Sequence, residues 1–371
     1  MKKKNRMSNV VLPCEIIHEN ILTRLPIKSL LQFKCVCKSW YKLIRTPRFV
    51  KIHSDQCKND PKFMLVYSTK DDGVNVYSLE YGENHLINVV KIPFFGFQFH
   101  RILGSCNGLV FVANMGMMYL WNPSTREYKL VPFSPQPTKS ATSSTYGFGY
   151  NAITKDYEII MISAFFSHQP YYSRYNIYSL RNNSWGGTFQ DMSPYVETHD
   201  MGYLFNDALH WEGTRCQSII AFDIADRNFR EFPIAPTSEP RFLAITMASI
   251  NGCFSIGIHF RFGVEIWMMK DYGVEESWTK MIKFSRPRPR PGSNPISSVL
   301  KCFAMNISTQ NMDMPAACTL EELLSKLGGG NKKTEQLIAK SFSATMYTET
   351  LVQLQGHDED DDDVGQFQLI C

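Results

Sequence analysis

Ten cysteines, nine histidines and two glycine-rich stretches are the parts of this 371-residue chain from which a reactive centre would have to be built. Zinc is held by cysteine and histidine in closely spaced pairs. The cysteines offer one such pair, Cys35-Val36-Cys37, with no second pair to complete it. Reduced core thiols are the expectation there, and no metal. The histidines form no His-Glu-x-x-His and no other metal spacing. Gly104-Ser105-Cys106-Asn107-Gly108 lacks the spacing of a hydrolase nucleophile elbow and reads as a turn. Gly329-Gly330-Asn331-Lys332-Lys333-Thr334 imitates a phosphate loop, but it lacks the glycine before Lys-Thr and has no strand ahead of it. The reading is therefore of no catalytic residue, no metal and no cofactor, and function is sought in surfaces.

Composition sets the scale of those surfaces. Apolar residues make up 44% and charged residues 20%, enough for a sizeable core and too apolar for wholesale disorder. No run of 18 apolar residues occurs, which argues against a membrane-spanning helix. The start, Met1-Lys2-Lys3-Lys4-Asn5-Arg6, has no apolar stretch behind it, so no signal peptide is expected. With the scattered cysteines this points to a cytoplasmic or nuclear protein. Residues 1–57 hold twelve Lys/Arg and three Asp/Glu, a net of +9, so the remainder carries 4 − 9 = −5. Asp358-Glu359-Asp360-Asp361-Asp362-Asp363 concentrates the acidity in a solvated tail.

The first fifty residues are patterned as three short helices. Pro13 and Glu15 suit a first turn. Ile17, Ile21 and Leu25 follow at i, i+4, i+8, flanked by Ile16 and Leu22, and Pro26 stops the helix. A second helix carries Leu30, Leu31, Cys35 and Val36. A third places Cys37, Trp40, Tyr41 and Ile44 at i, i+3, i+4, i+7 and ends at Pro47. Helices this short bury little surface by themselves. Two readings fit: a cap packed on the rest of the chain, or a docking module that completes its core against a partner.

From about residue 62 the period changes to short aromatic runs between Gly, Pro, Asn and Ser clusters, as in an all-β fold. Tyr77, Trp121, Tyr178, Phe222 and Trp267 each enter a polar turn, at spacings of 44, 57, 44 and 45. Trp121, Tyr178 and Phe222 are followed seven places later by Tyr128, Trp185 and Phe229. A second turn lies ahead of three of these aromatics: Asn107-Gly108 before Trp121, Asn206-Asp207 before Phe222 and Asn251-Gly252 before Trp267. Two hairpins per period of about 45 residues give the four antiparallel strands of a propeller blade. A β-sandwich is the alternative, but two independent markers keep the same period.

The repeat fails late in the chain. Arg286-Pro287-Arg288-Pro289-Arg290-Pro291 reads as an extended loop between blades. Residues 304–341 stand where a further blade is due, yet Thr319-Leu320-Glu321-Glu322-Leu323-Leu324 reads as a capped helix. The divisions expected are a basic tail 1–8, a helical domain 9–50, a linker 51–61, a β domain 62–303, an atypical segment 304–341, a closing strand 342–354 and an acidic tail 355–371.

Leu12-Pro13-x-Glu15-Ile16, Ile21-Leu22-x-x-Leu25-Pro26 and Lys28-Ser29-Leu30-Leu31-x-Phe33-Lys34-x-Val36-Cys37-Lys38-x-Trp40 together resemble an F-box of the plant type. The stretches SCNGLVFV, LWNPSTREYKLVP, YGFGYNAITKDYEIIMI, IYSLRNNSWG and FNDALHW resemble the F-box-associated, kelch-like domain of the same plant proteins. The resemblance implies an α+β multidomain chain, a three-helix F-box followed by an all-β propeller-like domain. It implies a non-catalytic substrate receptor of an SCF-type ubiquitin ligase. Leu12, Pro13, Ile16, Ile21, Leu25, Pro26, Leu30, Leu31, Val36 and Trp40 would form the F-box core and meet a Skp-type adaptor, and through it a cullin. Complementary charge speeds association, so the +9 segment suits an acidic partner. The basic residues lack a recognition-helix pattern, which argues against nucleic acid. Target contact is expected from exposed aromatics, Tyr171, Tyr172 and Phe262, and from the 134–145 and 167–174 loops. The alternatives are a binding module acting apart from ubiquitin ligase, a pollen S-locus-type receptor for ribonucleases, and a propeller enzyme.

Overall fold

The computed structural model describes residues 17–56, 62–69, 73–79, 87–89, 100–114, 116–134, 143–165, 172–186, 190–192, 196, 201–213, 218–237, 242–261, 263–285 and 342–354. The sequence readings at Leu12, Pro13, Ile16, Tyr171 and Phe262 lie outside these. So do most of the 134–145 and 167–174 loops, the Arg-Pro run, all of 304–341 and both tails.

The first expected helix is seen over its second half, and it is not a regular α-helix there. Ile17–Ile21 is a π turn and Leu22–Arg24 a 3-10 turn. Leu25 is extended at φ −81°, ψ 147°. A residue before proline is pushed out of the helical region, so Pro26 ends the run through Leu25. Pro26 then caps helix α1 (Ile27–Phe33), its carbonyl accepting from the Ser29 and Leu30 amides at 2.9 and 3.1 Å. Helix α2 is Lys38–Arg45. It stops ahead of Pro47, as expected, with Thr46 extended at φ −68°, ψ 138°, but Pro47 does not end the helical unit. It opens a further helix, α3 (Pro47–Gln56), at the position where a missing N–H costs nothing. The Thr46 hydroxyl caps α3, accepting from the Phe49 amide at 3.2 Å. A linker from residue 51 therefore gives way to helix as far as Gln56.

The β region forms five antiparallel sheets among the described residues. The first contains β1 (Lys62–Thr69), β2 (Gly73–Leu79) and β3 (Ile87–Val89). The second is β4 (His100–Cys106), β5 (Leu109–Asn114), β6 (Met117–Trp121) and β7 (Tyr128–Val131). The third is β8 (Ser143–Asn151), β9 (Asp156–Phe165), β10 (Tyr172–Ser179) and β11 (Ser184–Trp185), with β12 (Gln190–Met192) also on β10. The fourth is β13 (Tyr203–Phe205), β14 (Ala208–Glu212), β15 (Ser218–Asp223) and β16 (Phe229–Pro233). The fifth is β17 (Ala244–Ile250), β18 (Cys253–Phe260), β19 (Gly263–Met269) and β20 (Trp278–Ser285). The last strand, β21 (Phe342–Tyr347), pairs with β1, so the chain's late end completes its first sheet. β21 adjoins β4, β4 adjoins β8, β8 adjoins β13 and β13 adjoins β17, so the leading strands of successive blades lie side by side.

The five repeating aromatics all stand on the third strand of their blade, and for three of them the residue seven places on is the cross-strand partner. Trp121 pairs with Tyr128, Tyr178 with Trp185 and Phe222 with Phe229. Such pairs stabilise a two-strand register by about 0.2–1 kcal/mol each. Asn107, Gly108, Asn206, Asp207, Asn251 and Gly252 all have φ between 47° and 83°, as a tight hairpin of the primed type requires.

Blades are joined by a second set of contacts. Trp185 Nε1 donates to Pro132 O at 2.8 Å, and Trp278 Nε1 to Pro233 O at 3.3 Å. In both cases an outer-strand tryptophan reaches the end of the preceding blade's outer strand. Asn151 donates to Ile224 O at 2.8 Å, and Arg227 pairs with the buried Glu158 at 2.7 Å, linking the third and fourth blades. His210, fully buried, bridges the fourth and fifth: its Nε2 lies 2.7 Å from Tyr272 Oη and its Nδ1 3.1 Å from Tyr203 O.

Candidate functional site

Two surfaces matter, and strand direction separates them. The first and third strands of each blade run towards one end, where the described turns after them lie. The second and fourth strands run towards the other.

The first end carries the helices. After β21 the chain runs on as an irregular strap, residues 348–354, so the closing strand is shorter than the 342–354 expected. Asn122, fully buried in the turn after β6, donates to Thr350 O at 3.1 Å and to Val352 O at 2.7 Å. Its Oδ1 accepts from the Ser124 and Thr125 amides at 2.8 and 3.2 Å. One side chain thus closes its own turn and holds the strap. Asn122→Ala is expected to lower folding stability by about 2–3 kcal/mol, because two strap carbonyls lose their donors. The shift of the denaturant midpoint measures it. Lys62 and Glu349 add an ion pair at 2.7 Å.

From this strap Leu351, 1% exposed, enters the helical cluster of Leu22, Ile27, Leu30, Ile44 and Phe49. Ile17, Leu25, Leu31, Phe33, Trp40, Leu43 and Val50 pack around it. Gln353 Nε2 donates to Arg45 O at 3.1 Å, and His53 Nε2 lies 2.9 Å from Leu25 O. Burial holds Lys34 below its ordinary range, with Glu127 of the second blade pulling it back up.

The sequence-predicted F-box residues therefore divide. Leu30 is sealed in the core, and Leu25, Leu31 and Trp40 are partly covered, Trp40 against Phe33 with ring centroids 5.4 Å apart. Ile21 is 42% exposed, Val36 61%, and Pro26 is also exposed. Tyr41, 38% exposed, belongs with them. Arg24, Lys28, Lys38 and Lys42 of the same helical segment are exposed too. The expectation that Cys35 and Cys37 are core thiols is corrected: both are exposed, because α1 ends at Phe33 and they sit in the connection to α2. Among the described cysteines the buried thiol is Cys106, which burial pushes up to about 12, far from the reactive thiolate form.

The opposite end carries Tyr172, the first residue of β10. It is 43% exposed, and its ring stacks on buried Phe165 at 4.6 Å and 7°. The Arg174 guanidinium lies 5.6 Å over the same ring and pairs with Asp191 at 2.6 Å. A rigid tyrosine beside a tethered arginine is the residue chemistry of interface anchors. The sequence reading includes Tyr172 and misses Arg174, although alternation along a strand puts residues i and i+2 on one face. Among the described residues no group of three or more His, Cys, Asp and Glu is placed to hold a metal ion.

Residues 12–52 match the F-box domain, and residues 41–352 match the F-box associated beta propeller domain. An F-box/kelch-repeat protein of Arabidopsis thaliana is 28% identical over 289 residues, covering 73% of this chain and 79% of its own length. The F-box protein CPR1 of Arabidopsis thaliana is 26% identical over 309 residues, with 75% and 74% covered. Among solved structures, an Aleuria aurantia lectin in complex with Fucalpha1-6GlcNAc is similar at a TM-score of 0.36 and 10% identity, with 62% of this chain and 81% of that chain covered.

Proposed function

Because the chain belongs to the family of F-box proteins that carry an F-box associated beta propeller domain, we propose that it is a non-catalytic substrate receptor of an SCF-type ubiquitin ligase. Its helical end docks on a Skp-type adaptor and thereby on a cullin. Its far end, with Tyr172 and Arg174, faces a target protein. The rate gain comes from proximity: a tethered target lysine meets the ubiquitin-charged enzyme at a raised effective concentration. No residue of this chain needs to break or make a bond. The reading places the protein in the cytoplasm or nucleus.

The observation that carries this reading is the uncovered apolar set Ile21, Val36 and Tyr41 on a helical unit whose own core is closed. Large apolar side chains left in water beside a filled core favour burial against another subunit. Ile21→Asp/Val36→Asp is expected to cut recovery of a Skp adaptor at least tenfold in a pull-down, since losing one interface anchor costs about 1.4 kcal/mol or more. Equal recovery by wild type and variant would remove the docking reading. Recovery of the adaptor from cells without any cullin would favour a binding module that works apart from the ligase.

A further inference from the structure

We propose that Leu351 and Gln353, outside the F-box in sequence, are positioning residues for it, so that the docking helices become ordered only when β21 has completed the first blade. The inference rests on the docking reading for its functional meaning but on geometry for its substance. Helices α1, α2 and α3 have 7, 8 and 10 residues. That is below the length of about 12–15 residues at which isolated helices begin to hold in water. Of the buried apolar side chains in their cluster, Leu22, Ile27, Leu30, Ile44 and Phe49 come from the helical segment, and the last is Leu351.

Leu351 cannot reach that cluster unless the strap is in place, and the strap is held by the pairing of β21 with β1 and by the second blade. It begins directly after β21, whose pairing with β1 closes the first blade. It is then fixed to the second blade by Asn122, by Ser124 Oγ accepting from the Thr350 amide at 3.2 Å, and by Thr348 O lying against Gly108. Gln353 makes the last link, to the carbonyl of Arg45 on α2. A chain whose late strand has not found β1 therefore lacks one wall of the helical core. The consequence is an order of events: β21 completes the first blade, the strap seats Leu351, and the adaptor surface forms. A receptor with an unfinished first blade would not join the ligase.

Amide hydrogen exchange on the full chain tests this, with adaptor pull-down in parallel. Leu351→Asp is expected to speed exchange in α1, α2 and α3 at least tenfold, to leave β9, β10, β18 and β19 protected, and to lose the adaptor. Leu351→Met, which keeps an apolar filler, restores both, and Gln353→Ala gives an intermediate effect on α2. Ile21→Asp serves as the contrast, losing the adaptor while α1–α3 stay protected. Unchanged exchange in α1–α3 of Leu351→Asp overturns the proposal. So does loss of protection throughout the blades in the milder Leu351→Ala, because the residue would then serve the whole fold. If the wild-type chain fails to capture the adaptor, the docking reading falls, while the exchange data still decide whether the strap orders the helices.

Discussion

Gly108→Ala is expected to destabilise the chain by about 3–4 kcal/mol, whereas Gly252→Ala loses only the part that left-handed backbone imposes on any L-residue. The two glycines look alike in sequence. Both close an Asn-Gly hairpin, at φ 83° and 76°. Such backbone costs a residue with a Cβ about 1–2 kcal/mol, and that part is common to both. The surroundings differ. A Cβ at Gly252 would meet nothing within 4 Å, but one at Gly108 would fall 2.4 Å from Thr348 O and 2.4 Å from Thr350 Cγ2. A backbone carbonyl cannot rotate away like a flexible side chain, so the strap itself must shift. Overpacking of this kind adds about 1–3 kcal/mol. Paired denaturant titrations of the two variants measure the difference directly. Coincident unfolding midpoints for the two would mean that the strap is loosely seated. Displacing the strap also withdraws Leu351 from the helical cluster, so Gly108→Ala should weaken adaptor capture while Gly252→Ala leaves it unchanged.

That contrast shows where sequence reasoning stops. Both glycines are legible as hairpin glycines, because turn chemistry is local. The blade register is equally legible: Trp121, Tyr178 and Phe222 recur because each occupies the same strand, and their partners seven places on sit directly across from them. The apolar spacing announces a helical unit, but α3 escapes it, although Thr46-Pro47 spells an N-cap followed by a first-turn proline. What no local pattern carries is long-range placement. Nothing in Leu351-Val352-Gln353-Leu354 announces that its first residue enters a helical core built by the opposite end of the chain. Nor does it announce that its last, 2% exposed, packs among the second and third blades. For the same reason Val36 and Leu30 look interchangeable in an apolar pattern. One is 61% exposed and the other sealed, because the strap and α3 cover only one side.

Acidification is expected to destabilise the protein through His210, by about 3 kcal/mol as pH falls from 6.5 to 4. The imidazole is sealed between the fourth and fifth blades, with Phe232, Phe254, Phe205 and Tyr272 around it. Burial pushes it down to about 4, against the opposing pull of backbone groups at Tyr203 and Ala208. The unfolded chain takes up the proton near pH 6.5 and the folded chain does not, so between these limits the unfolded state binds more protons. Stability from this group is therefore complete above pH 6.5 and lost as pH falls toward 4. The size follows from about 1.4 kcal/mol for each tenfold difference in proton affinity. Glu158 works the other way. Burial raises it, more than Arg227 lowers it, so its folded form holds a proton more tightly, and its contribution fades as pH rises. Comparing wild type with His210→Gln removes that background, since both chains keep Glu158. Thermal unfolding across this pH range should show the variant less stable at neutral pH and distinctly flatter in the acid limb. Parallel curves would mean that the seam between the two blades opens to water before His210 titrates, and that the 2.7 Å bridge to Tyr272 does not hold the blades together.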